Sequence, residues 1–306
     1  MHPGYSPGMF RNLADALHDL AVSGYDLRQL KSTMASSKNS VQAQGDFLEI
    51  VIKDILCGVK PTESSNRESL YEQHLAYQGS RNNPPDAMFR GGNSGDAFEI
   101  KKKEKGNGGL ALNSSYPYSH LESDLNRLLD ETKKCEEWTR RDFFYVVGNA
   151  SDKTPLGNSI WIVQGAVYAQ DLQHYRDLEN DLKPVIDDAI KGNGMKPGET
   201  KELGRINNVD LLGRTDLRIR GMWGIKGPSS VFGGLTGVAE APKSHLVIHA
   251  VVSQSKWNEL LKDRTNSVKK FWEKPTGNCA IFDVELDDPN NAKSKIKAKL
   301  IRIEIE

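Results

Sequence analysis

Two short segments in which polar and apolar residues alternate constrain the fold of this chain more than any other feature. Residues 86–90 and 96–102 have the two-residue period of β-strands, and the glycine-rich run 91–95 joins them as a turn. Successive side chains of a strand point to opposite faces, so Glu99 and Lys101 project from one face while their apolar neighbours enter a core. The sequence therefore predicts a β-hairpin that carries a carboxylate and an ammonium side by side.

A second carboxylate, Asp86, begins the first strand directly after two prolines, which stiffen the approach. Antiparallel pairing of the two strands brings Asp86 against Glu99. Close carboxylates repel each other unless a divalent cation neutralises them, and oxygen ligands favour Mg²⁺, with the Ile100 carbonyl as a further ligand. The metal polarises a phosphoryl oxygen and acidifies water, which Lys101 orients or deprotonates. We therefore expect a catalytic metal site of Asp86, Glu99 and Ile100 with Lys101 beside it.

A preceding helix supplies another acid. Residues 45–56 place apolar side chains on one side at helical spacing, and Gly58 ends the run. Glu49 lies on the polar side of this helix, so we expect it to act at the metal site directly or through water. An acid followed by a glutamate and a lysine two residues apart is also typical of an exposed edge strand protected by lysines. The helix, and the polar face that Glu99 and Lys101 share, favour a metal site that hydrolyses phosphodiesters, as in a nuclease.

Helices and strands interleave along the rest of the chain, which indicates an α/β protein with a mixed central sheet and peripheral helices. We expect one elaborated domain with a helical N-terminal region (1–44), a catalytic core (45–170) and recognition and dimerisation elements (171–306). Predicted helices cover residues 9–20, 66–77, 120–138, 173–191 and 255–262, and Leu27, Leu30 and Met34 continue the first of them. Predicted strands cover residues 143–147, 159–169, 216–223, 245–252, 279–286 and 296–305.

Composition excludes several classes of protein. Lysine plus arginine and aspartate plus glutamate balance at 41 each, which argues against a protein that coats DNA regardless of sequence. It does not exclude a nuclease, whose acids and basic cleft cancel in the total. The three cysteines have no CxxC spacing and the seven histidines form no HxH or HExxH pair, so neither a zinc site nor a disulfide framework is suggested. Residues 1–10 show no secretory pattern and no apolar stretch could span a bilayer, so we expect a cytoplasmic protein without a membrane partner.

An alternating segment late in the chain carries the candidate DNA contacts. Arg214, Arg218 and Arg220 fall on one face of a predicted strand, with Asp216 between them. The planar guanidinium matches the O6 and N7 acceptors of guanine, so these arginines are candidates for base readout at a target that contains G·C pairs. A charged outer face that holds ion pairs explains the same pattern. Lys102 is a candidate phosphate contact, although a lysine that simply faces solvent explains its position in the lysine run equally well.

The hairpin residues resemble a known family. The strings NNPPD (82–86), RGG (90–92) and DAFEIKK (96–102) are similar to the catalytic hairpin of NgoPII-like type II restriction endonucleases of the PD-(D/E)XK superfamily. GDFLE before a helix and LRIRGMW late in the chain extend the resemblance over roughly residues 45–225. The inserted residues 93–95 depart from the family pattern, and we expect them to lengthen the turn without moving the acids.

The resemblance implies a restriction-endonuclease-like core and Mg²⁺-dependent cleavage of double-stranded DNA at a short palindrome, with 5′-phosphate and 3′-hydroxyl ends. A palindromic target implies a homodimer, and a restriction–modification system implies a bacterial cytoplasm. Two alternatives stay open. A repair or non-specific nuclease with the same core would cut a defined plasmid without a fixed site, and a DNA-binding protein with this core would not cut at all.

Overall fold

The computed structural model describes residues 10–22, 41–60, 65–80, 83–103, 109–149, 158–239 and 245–305. Its α-helices are α1 (Leu13–Val22), α2 (Val41–Cys57), α3 (Arg67–His74), α4 (Asp130–Lys134), α5 (Leu172–Gly192), α6 (Pro228–Phe232), α7 (Gln254–Lys262) and α8 (Asn266–Glu273). Its strands are β1 (Leu75–Tyr77), β2 (Ala87–Phe89), β3 (Ala97–Lys103), β4 (Gly109–Asn113), β5 (His120–Glu122), β6 (Arg140–Asn149), β7 (Ser159–Gln164), β8 (Gly204–Ile206), β9 (Leu217–Ile219), β10 (Trp223–Lys226), β11 (Leu246–Ser253), β12 (Cys279–Asp288) and β13 (Asn291–Ile305). The interleaved elements confirm the α/β class.

One mixed sheet organises the described part of the chain. Its main path runs β1-β2-β3-β6-β7-β11-β13-β12, and β5 pairs with β6 beside this path. The pairs β3–β6 and β7–β11 are parallel, and the other pairs of the path are antiparallel. The sequence analysis predicts a boundary at residue 170 between a catalytic core and recognition elements. Because β7 pairs with β11, one sheet contains strands from both sides of that boundary. That separation stays a prediction.

Apolar layers cover both faces of the sheet. On one face, α1 and α7 contribute Leu17 and Trp257 to a core that includes Phe98 of β3 and Phe144 of β6. The last two rings stack with their centroids 5.6 Å apart. Tyr145 belongs to the layer on the opposite face, which is rich in aromatic side chains. Burial of a large apolar side chain contributes about 1.5–3 kcal/mol to the stability of the fold, so Phe98 anchors β3 in the first layer. Its neighbours in sequence face the opposite side of the sheet.

Helix α2 confirms the predicted helix at 45–56 and lies close to the sheet. It ends at Gly58, whose φ of +71° is in the left-handed region that glycine adopts without strain. A Cβ atom at Gly148 of β6 would lie 2.7 Å from the Leu48 side chain. Gly148 therefore allows α2 to approach β6, and this approach sets the position of the next residue of the helix, Glu49.

Three predicted elements are wrong in part. The helix predicted at 120–138 is reduced to α4, because residues 120–122 pair with β6 as strand β5. The helix predicted at 66–77 ends at His74, because the chain then pairs with β2 as strand β1. The strand predicted at 216–223 is divided into β9, which pairs with β8, and β10, which pairs with β4. In each case pairing with another strand decides the conformation, and local periodicity does not show that partner.

Other predicted elements hold with shifted ends. The strand predicted at 159–169 ends at Gln164 and continues as the 3-10 helix Gly165–Val167. Helices α6 and α8 are additional to the prediction. Leu27, Leu30 and Met34, predicted to continue the first helix, lie outside the described residues.

Candidate active site

The predicted hairpin is formed by β2 and β3. Ala87 pairs with Phe98 and Met88 with Ala97 in antiparallel register. The turn between the strands contains the 3-10 helix Gly92–Ser94, which closes it compactly. The inserted residues of the turn therefore leave the strand pairing intact.

Asp86 directly precedes β2, at the end of its pairing with the longer strand β3. Its backbone N–H donates to the Phe98 carbonyl at 2.8 Å, which is the last step of the pairing on this side. The next backbone donor of β3 on the same side is Ile100 N–H, and it donates to Asp86 Oδ2 at 2.6 Å. The Asp86 side chain therefore takes the place of a strand partner, which fixes its carboxylate against β3.

The Ile100 carbonyl shares the edge of β3 with Asp86. The N–H and C=O groups of one residue in a strand point to the same side. Because Ile100 N–H points to Asp86, its carbonyl faces this edge as well. The arrangement offers a carbonyl oxygen beside the carboxylate, and its role as a metal ligand stays a prediction.

Glu99 and Lys101 lie side by side on β3, as the alternation predicts. Glu99 is only 6% exposed, and its Oε1 lies 2.6 Å from Lys101 Nζ. The other oxygen, Glu99 Oε2, is buried and has no hydrogen-bond partner among the described residues. Lys102, the candidate phosphate contact, follows on the same strand and is half-buried. The hairpin thus brings an acid and an ammonium together and leaves one buried carboxylate oxygen unsatisfied.

Burial sets the charge state of the acid pair, Asp86 and Glu99. Burial and the Glu99 carboxylate raise the pKa of Asp86 to about 8, against the opposing effects of a backbone N–H and a nearby ammonium. Burial also raises the pKa of Glu99, although Lys101 opposes the shift. Burial acts to lower the pKa of Lys101, but the Glu99 and Asp86 carboxylates outweigh it and raise that pKa. At neutral pH the site therefore retains a proton on an acid and an ammonium on its lysine.

Glu49 lies near this acid pair without a direct hydrogen bond to either carboxylate. Its charge contributes to the raised pKa of both Asp86 and Glu99. Its Oε1 accepts from Lys53 Nζ at 2.5 Å, and the same ammonium donates to the Gln78 carbonyl at 2.5 Å. Helix α2 therefore brings the third predicted acid to the site, where a lysine one turn later holds it.

A buried ion pair fastens the turn of the hairpin. Arg141, 1% exposed, donates to the Phe89 carbonyl at 2.6 Å and pairs with Glu136 at 2.8 Å. The same Glu136 oxygen accepts from Gly92 N–H at 2.9 Å. Asn93, one of the inserted residues, accepts a backbone N–H from the segment that leads into β6 at 2.7 Å. These contacts explain how a longer turn is held without displacement of the acids.

Two of the candidate DNA-binding arginines share one acid, and the three residues Glu202, Arg218 and Arg220 are called the arginine cluster below. Arg218 donates from Nε to Glu202 Oε2 at 2.9 Å and from Nη2 to Oε1 at 2.7 Å. Arg220 Nε lies 2.6 Å from the same Oε1. Both arginine side chains are about half exposed, at 53% and 51%. In the protein without DNA these arginines therefore hold an ion pair, which is the alternative that the sequence left open.

The segment around the arginine cluster differs from the predicted strand. Within residues 214–220 only Leu217–Ile219 forms a strand, and the Leu217 side chain is 47% exposed. Asp216 pairs with Arg205 of β8 at 2.8 Å. Arg214 precedes the strand and is exposed. Among the described strands β9 pairs with the short strand β8, outside the main sheet, so its apolar side chains do not reach the central core.

A cavity of about 330 Å³ adjoins the arginine cluster. Glu202 and Arg220 line it, together with Asn83, which lies shortly before Asp86 in the chain. A second pair also lines it: Arg127 Nη2 donates to Glu179 Oε1 at 2.9 Å. Arg127, Glu179 and Glu202 were not predicted from the sequence. No local pattern indicates them, because each acquires its partner from a different part of the chain.

The acid pair has the properties of a site for a divalent cation. No group of three or more histidine, cysteine, aspartate or glutamate side chains suited to a metal occurs among the described residues, so a site here depends on two carboxylates with other oxygen ligands. The unsatisfied Glu99 Oε2 and the raised pKa of Asp86, caused first by burial and then by Glu99, mean that the protein alone does not stabilise a second negative charge here. An oxygen-binding cation such as Mg²⁺ fits this donor set.

Comparison with known proteins identifies the family. The model of the NgoPII restriction endonuclease family matches residues 11–286. The chain belongs to this family. It is 35% identical over 295 residues to the type II restriction enzyme NgoPII of Neisseria gonorrhoeae, an alignment that covers 95% of this chain and 98% of that protein. No solved structure matches the chain significantly.

The family match confirms the relationship inferred from the hairpin and extends it. The resemblance in the sequence covered about residues 45–225, whereas the family model also includes α1 and most of β12. The relative from Neisseria gonorrhoeae is a type II restriction enzyme, and the α/β architecture of this chain, with its mixed sheet, agrees with that class. No helix of the described residues is long and apolar enough to cross a membrane.

Proposed function

We propose that this member of the NgoPII family is a Mg²⁺-dependent endonuclease that cleaves both strands of DNA at a short palindrome and leaves 5′-phosphate and 3′-hydroxyl ends. The observation that carries the proposal is the acid pair, with Glu99 buried and Lys101 beside it, in a chain that is related over nearly its whole length to a type II restriction enzyme. Hydrolysis of a phosphodiester needs these groups at one place.

Asp86, Glu99 and the Ile100 carbonyl would hold the metal. Asp86 and Ile100 are fixed at one edge of β3 by the hydrogen bond between them, and Glu99 offers the unsatisfied oxygen. When bound, Mg²⁺ would supply Lewis acidity, which stabilises negative charge at phosphorus and acidifies the attacking water.

Lys101 and Glu49 would complete the chemistry around the scissile phosphate. The neighbouring carboxylates raise the pKa of Lys101 against the effect of burial. Lys101 would orient or deprotonate the attacking water and donate a hydrogen bond to a phosphate oxygen. Glu49, held by Lys53 near the acid pair, accepts a hydrogen bond from water at the rim of the site.

The arginine cluster would supply the sequence preference. Arg218 and Arg220 each present a guanidinium that is half exposed, and a guanidinium binds guanine through two hydrogen bonds. Arg214 and Lys102 would contact phosphates or bases nearby. The target therefore contains G·C pairs, and its palindromic symmetry is matched by a homodimer with one site for each strand.

The proposal is tested by digestion of a sequenced plasmid in Mg²⁺, followed by mapping of the fragment ends. We expect a fixed set of fragments with 5′-phosphate ends, and no cutting by Asp86→Ala or when the metal is chelated. Cutting without a fixed site would indicate a non-specific or repair nuclease. Specific binding without metal-dependent cutting would indicate a DNA-binding protein, and either result would overturn the proposal.

The oligomeric state is measured separately. Light scattering of the protein alone and with a cognate duplex should give the mass of two chains in at least one of the two samples. A single chain in both samples would contradict the proposed dimer and leave cleavage of the two strands to successive events.

A further inference from the structure

The side chain of Glu202 holds both arginines of the arginine cluster at once. Its Oε1 lies 2.7 Å from Arg218 Nη2 and 2.6 Å from Arg220 Nε, and its Oε2 accepts from Arg218 Nε at 2.9 Å. The acid is 19% exposed, whereas the arginines are about half exposed. A carboxylate that accepts two parallel hydrogen bonds from one guanidinium has the geometry of a bound phosphate or of a guanine edge.

The backbone of Glu202 is held by contacts that do not involve its carboxylate. Its N–H donates to Thr200 Oγ1 at 3.0 Å, and its carbonyl accepts from Lys183 Nζ at 3.1 Å. Lys183 also donates to the Thr200 carbonyl at 2.7 Å. The segment therefore has its own anchors, so the carboxylate is not needed to keep the chain in place.

The arginine cluster lies beside a cavity that also reaches the chain segment before Asp86. Glu202 and Arg220 line the same 330 Å³ cavity as Asn83, which precedes the proline pair and Asp86. A DNA strand that enters this cavity would meet Arg220 close to the chain segment that leads to the proposed metal ligand. The Nε–Nη2 edge of Arg218 and the Nε of Arg220 must leave Glu202 before these donors can contact DNA.

We propose that Glu202 is a specificity-determining residue that competes with DNA for Arg218 and Arg220. A phosphate of any sequence offers each arginine little more than Glu202 already does, so the affinity for non-cognate DNA stays low. A guanine edge at the correct position, together with the surrounding cognate contacts, offsets the loss of the ion pairs. The inference rests on the proposed function, because it assumes that these arginines meet DNA.

The exchange is possible because the cluster is exposed. Hydrogen bonds from Arg218, and the charges of both arginines, lower the pKa of Glu202, so it stays ionised and competes at neutral pH. Ion pairs between exposed groups are weak and exchange readily. The competition therefore lowers the affinity for DNA only modestly, and the effect grows with the number of arginines that Glu202 holds.

The test is the binding of non-cognate duplex DNA, measured by fluorescence anisotropy in a chelator so that no cutting occurs. Glu202→Gln keeps the shape of the side chain and removes its charge. Glu199→Gln is the matched control, since it removes the same charge three residues earlier from an exposed side chain. We expect Glu202→Gln to bind non-cognate DNA about three- to thirtyfold more tightly, and Glu199→Gln to change affinity by less than about twofold.

Salt dependence and a combined variant sharpen the test. Release of two arginines to phosphates should steepen the slope of log affinity against log salt by about 0.9 for each additional phosphate that an arginine neutralises. The increase in affinity should vanish when Arg218→Ala and Arg220→Ala are added to Glu202→Gln, because the competition acts only through these arginines. Equal changes in Glu202→Gln and Glu199→Gln, or an increase that survives removal of the arginines, would overturn the inference.

Specificity is the functional readout. In Mg²⁺ the ratio of cleavage at the cognate site to cleavage at single-base variant sites should fall in Glu202→Gln and stay unchanged in Glu199→Gln. If the wild-type chain cuts at a fixed site but the two variants behave alike, the inference alone fails. If the wild-type chain does not cut but Glu202→Gln still binds DNA more tightly, the proposed function fails and the competition stands.

Discussion

The acid pair and the arginine cluster both combine carboxylates with basic side chains, but they differ in burial and therefore in behaviour. Glu99 is almost completely buried, and the pKa values of Glu99 and Asp86 are raised because neither burial nor repulsion is fully compensated. Glu202 meets half-exposed arginines, and its pKa is lowered. A site where burial and repulsion disfavour the charge of a second carboxylate is one that a bound cation would stabilise. An exposed ion pair creates a contact that a ligand can replace.

The largest expected effect concerns two neighbouring lysines of β3. Lys101→Ala should slow single-turnover cleavage about 100- to 10 000-fold, because Lys101 contacts Glu99 at 2.6 Å and would meet the reacting phosphate. Lys102→Ala removes the same charge one residue later and should weaken DNA binding without a loss of this size at saturating enzyme. Similar rate losses in the two variants would show that charge near β3, and not the position of Lys101, matters.

A smaller effect is expected in the exposed region. Arg218→Ala and Arg220→Ala should each lower discrimination between the cognate site and a site with one G·C pair changed by about ten- to a hundredfold. Lys297→Ala is the control for a general loss of positive charge, and all variants should be compared at two salt concentrations. A uniform loss at every site, or no loss, would assign these arginines to phosphate contacts or to the ion pair alone.

The smallest expected effect is on stability and has opposite signs in the two regions. The pKa of Asp86 rises from 3.8 to about 8 on folding, so the folded metal-free protein binds more protons, and the stabilising contribution of this carboxyl is lost as pH rises through that range. Asp86→Asn should therefore raise the free energy of unfolding at pH 8 in a chelator, on the order of 1–2 kcal/mol, and its advantage should shrink towards pH 4.

An exposed acid provides the contrast for this measurement. The hydrogen bond from Arg205 lowers the pKa of Asp216, so its contribution is present at neutral pH and is lost as the pH falls through the lowered pKa. Asp216→Asn should lower the free energy of unfolding slightly at pH 7–8. Denaturant titrations of both variants at several pH values give the two signs. Destabilisation by Asp86→Asn at pH 8 without metal would remove the distinction between the two regions.

The acid pair was brought together as predicted because clear patterns mark both strands and the turn between them. Alternation along β3 places Glu99 beside Lys101, and the glycine turn returns the chain so that Asp86 meets β3. The direct hydrogen bond from Ile100 N–H to Asp86 was not predicted. It depends on the point where β2 ends, and alternation does not fix that point.

The arginine cluster could not be predicted because its geometry depends on a strand pairing that the sequence does not mark. Arg218 and Arg220 meet Glu202 only because β9 pairs with β8, and neither short strand has a strong pattern. The same reason explains the failure of the helix predicted at 120–138, where β5 is formed by pairing with β6. Short strands without a strong pattern follow tertiary contacts over local preference.

The location of the metal can be measured with Fe²⁺ in place of Mg²⁺. With ascorbate and peroxide, bound iron generates hydroxyl radicals that cut the polypeptide next to the ion, and the fragments are sized by mass spectrometry. Cleavage near residue 86 and at residues 99–101, suppressed by excess Mg²⁺ and lost in Asp86→Asn, is the expected result. Cleavage elsewhere that Asp86→Asn leaves unchanged, or none at all, would contradict the assignment of the buried acid pair as the metal centre.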